Sequence, residues 1–90
     1  MLVVVRSSQF KRDVKTAQKR GKDLTKLQAL PKILIEQRPL PPAYRDHPPK
    51  GNWGGYRDAH IEPDWLLIYR ISRDELHLAR TGTHSDLFNE

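Results

Sequence analysis

The sequence predicts a small α+β domain: an N-terminal strand, two helices packed on one face of an antiparallel sheet, and a C-terminal three-strand meander that completes the sheet. Three observations predict it. β-Branched residues open the chain at Leu2-Val-Val-Val5. Helical periodicity runs twice through the next third. The last third alternates short apolar segments with turn residues. A chain of 90 residues is expected to be a single domain, spanning residues 1–90. Its 37% hydrophobic and 30% charged content suits a packed core and not a disordered chain.

Leu2–Val5 is apolar at consecutive positions, so it is expected as a central strand. Ser7 and Ser8 offer an N-cap. Phe10, Val14 and Ala17 then recur at helical spacing, with Lys11, Lys15 and Lys19 on the solvent face. Gly21 suits the left-handed position that ends a helix. Asp23 caps a second helix with the stripe Leu27, Leu30 and Leu34. Pro31 lies inside that stripe, so a kink is expected there. Five of the seven prolines fall in residues 39–49, which makes the following connection, up to Gly51, long but stiff. Strands are expected at Trp53–Ile61, with Gly54-Gly55 marking a bulge, and at Trp65–Ile71 and Leu76–Thr81. Turns at Glu62–Asp64 and Ser72–Asp74 separate them, and Gly82 ends the last. Ser85–Phe88 is read as a short terminal turn. Trp65–Ile71 is apolar on both faces, so a ligand or a protein partner is expected over the face that the helix pair does not cover.

Charge narrows the partners. Residues 1–32 hold nine Lys/Arg against Asp13 and Asp23, whereas residues 33–90 hold seven basic and nine acidic side chains. A basic first third fits a polyanion, an anionic membrane or an acidic protein, and equally a lysine face that serves solubility. The absence of cysteine excludes disulfides and thiolate metal sites. The only N-terminal apolar run is too short for a signal peptide or a span, so a cytoplasmic protein without a membrane partner is expected.

His47, His60 and His84 fall in loops or near strand ends. Metal-free cleavage of RNA needs a base for the 2′-OH, an acid for the leaving 5′-oxygen and a cation for the phosphorane. Histidines can supply the first two near neutrality, and Arg80, close to His84, the third through its planar fork; by spacing alone each histidine reads rather as a surface or capping residue. The competing reading is a metal site. His47, His60, His84 and Asp64 are ligand types, but they are spread along the chain without an HxxxH, HExxH or CxxC spacing, so no metal or cofactor is expected. His77, between Leu76 and Leu78, points to the other face and is read as structural. Trp65 is expected in the core or at its edge. Trp53 either packs the Pro-rich loop or stacks on a base. Phe88 is either a lid on the core or a platform beside His84.

The segments Tyr44-Arg-Asp-His47-Pro, Gly51-Asn-Trp-Gly-Gly-Tyr-Arg-Asp-Ala-His60-Ile-Glu-Pro-Asp-Trp65 and Arg80-Thr-Gly-Thr-His84-Ser-Asp-Leu-Phe88 resemble the YafQ branch of the RelE toxin superfamily. The resemblance implies a RelE-like fold and a type II toxin–antitoxin pair. It implies ribosome-dependent, metal-independent cleavage of mRNA in the A site. The implied partners are an acidic DinJ/RelB-like antitoxin, the 70S ribosome with its mRNA, and operator DNA only through the antitoxin complex. It implies a catalytic set of His47, His60, Asp64, Arg80, His84 and Phe88. His84 is expected as general acid and His47 or His60 as general base, with Asp64 orienting a histidine and Arg80 holding the phosphate. Arg12, Lys15, Lys19, Lys22, Trp53, Arg57 and Trp65 are the expected RNA or ribosome contacts. The alternative is a non-catalytic module that binds nucleic acid or antitoxin.

Overall fold

The computed structural model describes residues 2–49 and 53–88, and the expected end of the Pro-rich connection at Gly51 lies outside them. The chain runs β1 (Val3–Arg6), α1 (Ser8–Lys19), α2 (Leu24–Ile35), a 3₁₀ turn (Pro42–Tyr44), β2 (Arg57–Glu62), β3 (Trp65–Ser72), β4 (Glu75–Gly82) and α3 (His84–Phe88). The four strands form one sheet in the order β1-β4-β3-β2. The C-terminal meander is as expected.

Two expectations about β1 are corrected. It lies at the edge, and it runs parallel to β4, which makes the sheet mixed. The two helices return the chain to the end of the sheet where β1 began, and parallel pairing requires a crossover of that kind. The valines do not need a central position. Val3 is 62% exposed, and Val4 and Val5 are half-buried. The buried residue of the run is Leu2, just outside the strand.

The helix ends follow local chemistry. Ser7 Oγ accepts the N–H of Phe10 at 2.9 Å and caps α1. Gly21, at φ 77°, closes it: the N–H groups of Gly21 and Lys22 donate to the carbonyls of Gln18 and Ala17. Asp23 Oδ1 accepts the N–H of Thr25 at 3.0 Å and caps α2. That helix runs through Pro31 as one twelve-residue element. Its end uses the same left-handed closure, with Gln37 where glycine is usual, at φ 57°.

The core has two sides. Leu27, Leu30 and Leu34 of α2 and Phe10 and Ala17 of α1 pack on Trp65, Leu67, Tyr69, Leu76 and Leu78. On the opposite face Leu66 and Ile68 are covered by Leu87, Phe88, Trp53 and Tyr56. The second cover of the doubly apolar strand is therefore α3 and the loop that precedes β2. β2 starts at Arg57, not Trp53. Gly54 and Gly55 form a turn, and the irregularity in β2 falls between His60 and Glu62.

The core and the edge of the sheet separate in a denaturation experiment. Leu30→Ala, at a site with no exposure, should lower stability by about 2–5 kcal/mol in urea titration. Val3→Lys on the free edge should change it by no more than about 0.5 kcal/mol. A cost for Val3→Lys comparable to that for Leu30→Ala would contradict an edge position for β1.

Candidate active site

The Pro-rich connection is tied to the sheet at His47. After the 3₁₀ turn, Arg45 takes a left-handed conformation at φ 47°. His47 then forms an isolated antiparallel bridge to β2: its N–H donates to the Asp58 carbonyl at 3.0 Å, and the Asp58 N–H donates to the His47 carbonyl at 2.8 Å. Asp46 reinforces the tie by accepting Arg57 Nε at 3.0 Å. Strand register carries the geometry onward. Asp58 pairs with Ile68 and Ile68 with Arg80; His60 pairs with Leu66 and Leu66 with Gly82. Directly paired residues share a face. His47, Asp58 and Ile68 thus form one row across the sheet, and His60, Leu66 and Gly82 the next; the register is irregular beside Arg80, whose guanidinium turns to Asp13 of α1.

α3 begins where the second row ends. Gly82 is required there, because a β-carbon would come within 2.9 Å of Asp86 Oδ2. Asp86 accepts the Thr83 N–H at 3.0 Å and pairs with Arg20 at 2.6 Å, which together hold its carboxyl down at about 2. The anchored helix places His84 beside the row. The ring of His60 lies 5.3 Å from that of His47 and 5.6 Å from that of His84. Phe88 lies a further 6.5 Å from His84.

Each ring has a different environment. Asp64 Oδ1 accepts both the backbone N–H of His84, at 2.9 Å, and its Nδ1–H, at 2.6 Å. These bonds hold the Asp64 carboxyl below its ordinary range, the backbone bond contributing most. Nε2 of His84 is the ring nitrogen that these bonds do not use. His47 Nδ1 lies 2.8 Å from the Pro48 carbonyl, which only accepts, so Nδ1 bears a hydrogen. Burial holds His60 below the ordinary histidine value, although the nearby Asp58 carboxylate opposes it. Burial likewise raises Asp58, against the pull of His47 and His60.

Asp58 is the residue that sequence reasoning missed. It is 2% exposed, and its Oδ2 lies 3.9 Å from His47 Nε2. Its Oδ1 and the Nδ1 of His60 are buried without a hydrogen-bond partner among the described residues. The available signal was the Asp-x-His spacing, which puts both side chains on one face of a strand. His47, Asp58 and His60 also bring three ligand-type atoms within 4.8 Å of one another. Ligand types that lie far apart along the chain are thus brought together by the fold.

Arg80 does not stand free. Its guanidinium is paired with Asp13 of α1. Among the expected RNA contacts, Arg12, Lys15 and Lys19 are exposed on α1. Lys22 is bound to Glu62 at 3.1 Å, and Arg57 to Asp46. Trp53 packs edge-on against Tyr56 at 5.3 Å and is half-buried. Trp65 is corrected: it is 1% exposed and its indole N–H donates to Thr81 Oγ1, so it offers no face to RNA. His77 sits beside Glu75 at 3.1 Å, away from the row.

Comparison with known proteins follows the same lines. Residues 2–89 match the family described as the bacterial toxin of type II toxin–antitoxin system, YafQ. The mRNA interferase toxin YafQ of Escherichia coli K12 is 55% identical over 83 residues, covering 91% of this chain and 90% of that protein. The toxin in the E. coli DinJ–YafQ complex superposes with a TM-score of 0.89 at 52% identity, covering 98% and 99% of the two chains. A metal-bound toxin from Helicobacter pylori superposes at 0.90 with 41% identity, covering 98% and 100%.

The environment of His60 has a measurable sign. Its folded-state value lies below 6.5, so the unfolded chain takes up this proton first as pH falls. Stability should therefore decline as pH drops through about 6.5, and His60→Gln should flatten that part of the profile. An NMR titration of His60 with a midpoint above 6.5 would contradict the burial argument.

Proposed function

The chain belongs to the YafQ family of type II toxin–antitoxin toxins, and from that premise we propose that it cleaves mRNA on the ribosome, without a metal ion, through the row of three histidines. It is an mRNA interferase, an endoribonuclease. The observation that carries the mechanism is the row itself, with rings 5.3 and 5.6 Å apart and a carboxylate fixing one end.

In its neutral form His47 takes the 2′-OH proton at Nε2, and the 2′-oxygen attacks the adjacent phosphorus. His60, kept neutral by burial, leaves the Nε2 lone pair available by not adding a second positive charge beside it. Arg80 holds the charge that builds on the phosphate oxygens. His84 donates its Nε2 proton to the departing 5′-oxygen, and Asp64 stabilises the imidazolium it starts from. The P–O5′ bond breaks as the P–O2′ bond forms. The products carry a 2′,3′-cyclic phosphate and a 5′-OH. Phe88 stands beside His84 as a stacking face for a base.

The exposed cations Arg12, Lys15 and Lys19 suit the phosphate backbone of ribosomal RNA. An acidic antitoxin of the DinJ type is the silencing partner, as the DinJ–YafQ complex supports. Operator DNA is reached through that complex. No helix among the described residues is long and apolar enough to cross a membrane, and the cytoplasm is the compartment where ribosomes and mRNA meet this toxin.

A ribosome-bound mRNA cleavage assay tests the reading. His84→Ala and His47→Ala should each slow cleavage about 10²–10⁴-fold, and binding to ribosomes should weaken as salt rises. Unchanged cleavage in His84→Ala would remove its role as acid. Cleavage should persist in EDTA; loss there would favour instead a cation held by His47, Asp58 and His60. A chain that arrests no growth when expressed without antitoxin would support the non-catalytic binding module.

A further inference from the structure

Asp13 is an acid on the most basic helix of the protein, and it is turned inward. It is 8% exposed, on the buried stripe of α1 with Phe10 and Ala17. Four donors converge on its carboxylate. Oδ2 accepts Arg80 Nε at 3.1 Å and the Thr81 backbone N–H at 3.2 Å. Oδ1 accepts Arg80 Nη2 at 3.0 Å and Gln9 Nε2 at 3.0 Å. A carboxylate has about four lone-pair sites, so this one is saturated. β1 pairs with β4 only as far as Leu78, and Asp13 serves the edge N–H of Thr81 beyond it.

The geometry of the pair matters more than its charge. Arg80 meets Asp13 side-on, through Nε and Nη2. A guanidinium has five N–H groups. The side-on contact uses two and leaves three, of which one on Nη1 and one on Nη2 form the end-on edge. Among the described residues no other group hydrogen-bonds Arg80, and the nearby Asp86 carboxylate adds only a Coulombic attraction. It remains 26% exposed and lines an open cleft of about 250 Å³ between α1 and the end of β4, with Thr16, Arg20 and Thr83. An end-on fork is the shape that binds two phosphate oxygens at once. A long side chain loses rotamer freedom when it does so, and Asp13 has already removed that freedom.

We propose that Asp13 is a positioning residue, which holds Arg80 side-on so that its end-on edge is presented to the scissile phosphate of the RNA. The inference rests on the reading of Arg80 as the phosphate-binding cation. Asp13 does not touch substrate. Its carboxylate stays bound to Arg80 throughout the reaction.

A double-mutant cycle in the ribosome-bound cleavage assay tests it. Asp13→Asn should lower kcat about 10–100-fold, the effect of a misplaced group, with KM for the programmed ribosome changed less than threefold. In an Arg80→Ala background the same change should add less than twofold, because nothing remains to be positioned. Equal, multiplying losses in the two backgrounds would make Asp13 merely structural. An active Arg80→Ala protein would overturn the reading of Arg80 itself; a slow Arg80→Ala with a fully active Asp13→Asn would overturn only the role of Asp13. A measurement on the unmutated toxin covers the case where Asp13→Asn fails to fold. Adding an RNA analogue with a 2′-deoxy group at the cleavage site should shift the Arg80 Nη resonances while its Nε–H stays protected from exchange. Loss of that protection on binding would show that Arg80 leaves Asp13 to reach the phosphate, and the proposal would fall.

Discussion

Burial of β3 on both faces is the constraint from which the rest of the structure follows. Leu66, Leu67 and Ile68 have no exposed surface, and full burial of such a side chain contributes about 1.5–3 kcal/mol. One face is covered by the helix pair and the other by Leu87 and Phe88 of α3 with Trp53 and Tyr56. The second cover has a consequence for chemistry. A five-residue helix is too short to hold itself together in water. It docks because Leu66 and Ile68 need covering, and that docking delivers His84 to the end of the histidine row. Stability of the meander and assembly of the site are one event.

Three carboxylates show how a small site assigns different roles to one functional group. Asp64 is exposed, and its two bonds from His84 hold it ionised and aligned. Asp58 is buried beside two histidines, with its carboxyl raised by loss of water. Asp13 is buried too, but four donors satisfy it. A buried charge is tolerated only when its lone pairs are met. Asp13 meets that condition within the chain. Asp58 leaves an oxygen unmet, and an unmet buried polar atom marks a place where substrate, water or a cation completes the bonding. The contrast separates a carboxylate that builds the site from one that faces its contents.

The fold was legible wherever a local rule had no rival. Ser7, Gly21 and Asp23 terminate helices in the expected way, and the meander turns fall at the expected residues. The expectation failed for β1, because an apolar run describes side chains and says nothing about which edge of a neighbour is vacant. It also failed at Trp53–Tyr56, where two glycines make a turn before the strand begins. In the site, the side chains of His47, His60, Asp64 and His84 come together. Asp58 stands two residues from a histidine and Asp13 on a basic helix, and neither position tells what its carboxylate meets.

By itself the sequence determined the order of the elements, the positions of the caps and the kinds of group available for chemistry. These depend on neighbours three or four residues away, and the chain carries them with it. The tertiary structure alone decided that β1 joins β4 in parallel at the edge and that His47 pairs with Asp58. It alone decided that Trp65 is sealed and that Arg80 meets Asp13 across 67 residues of chain. Strand register and side-on pairing are relations between distant segments. They are set by which buried surfaces and unmet hydrogen-bonding groups find each other once the chain has closed, and no local pattern encodes that choice.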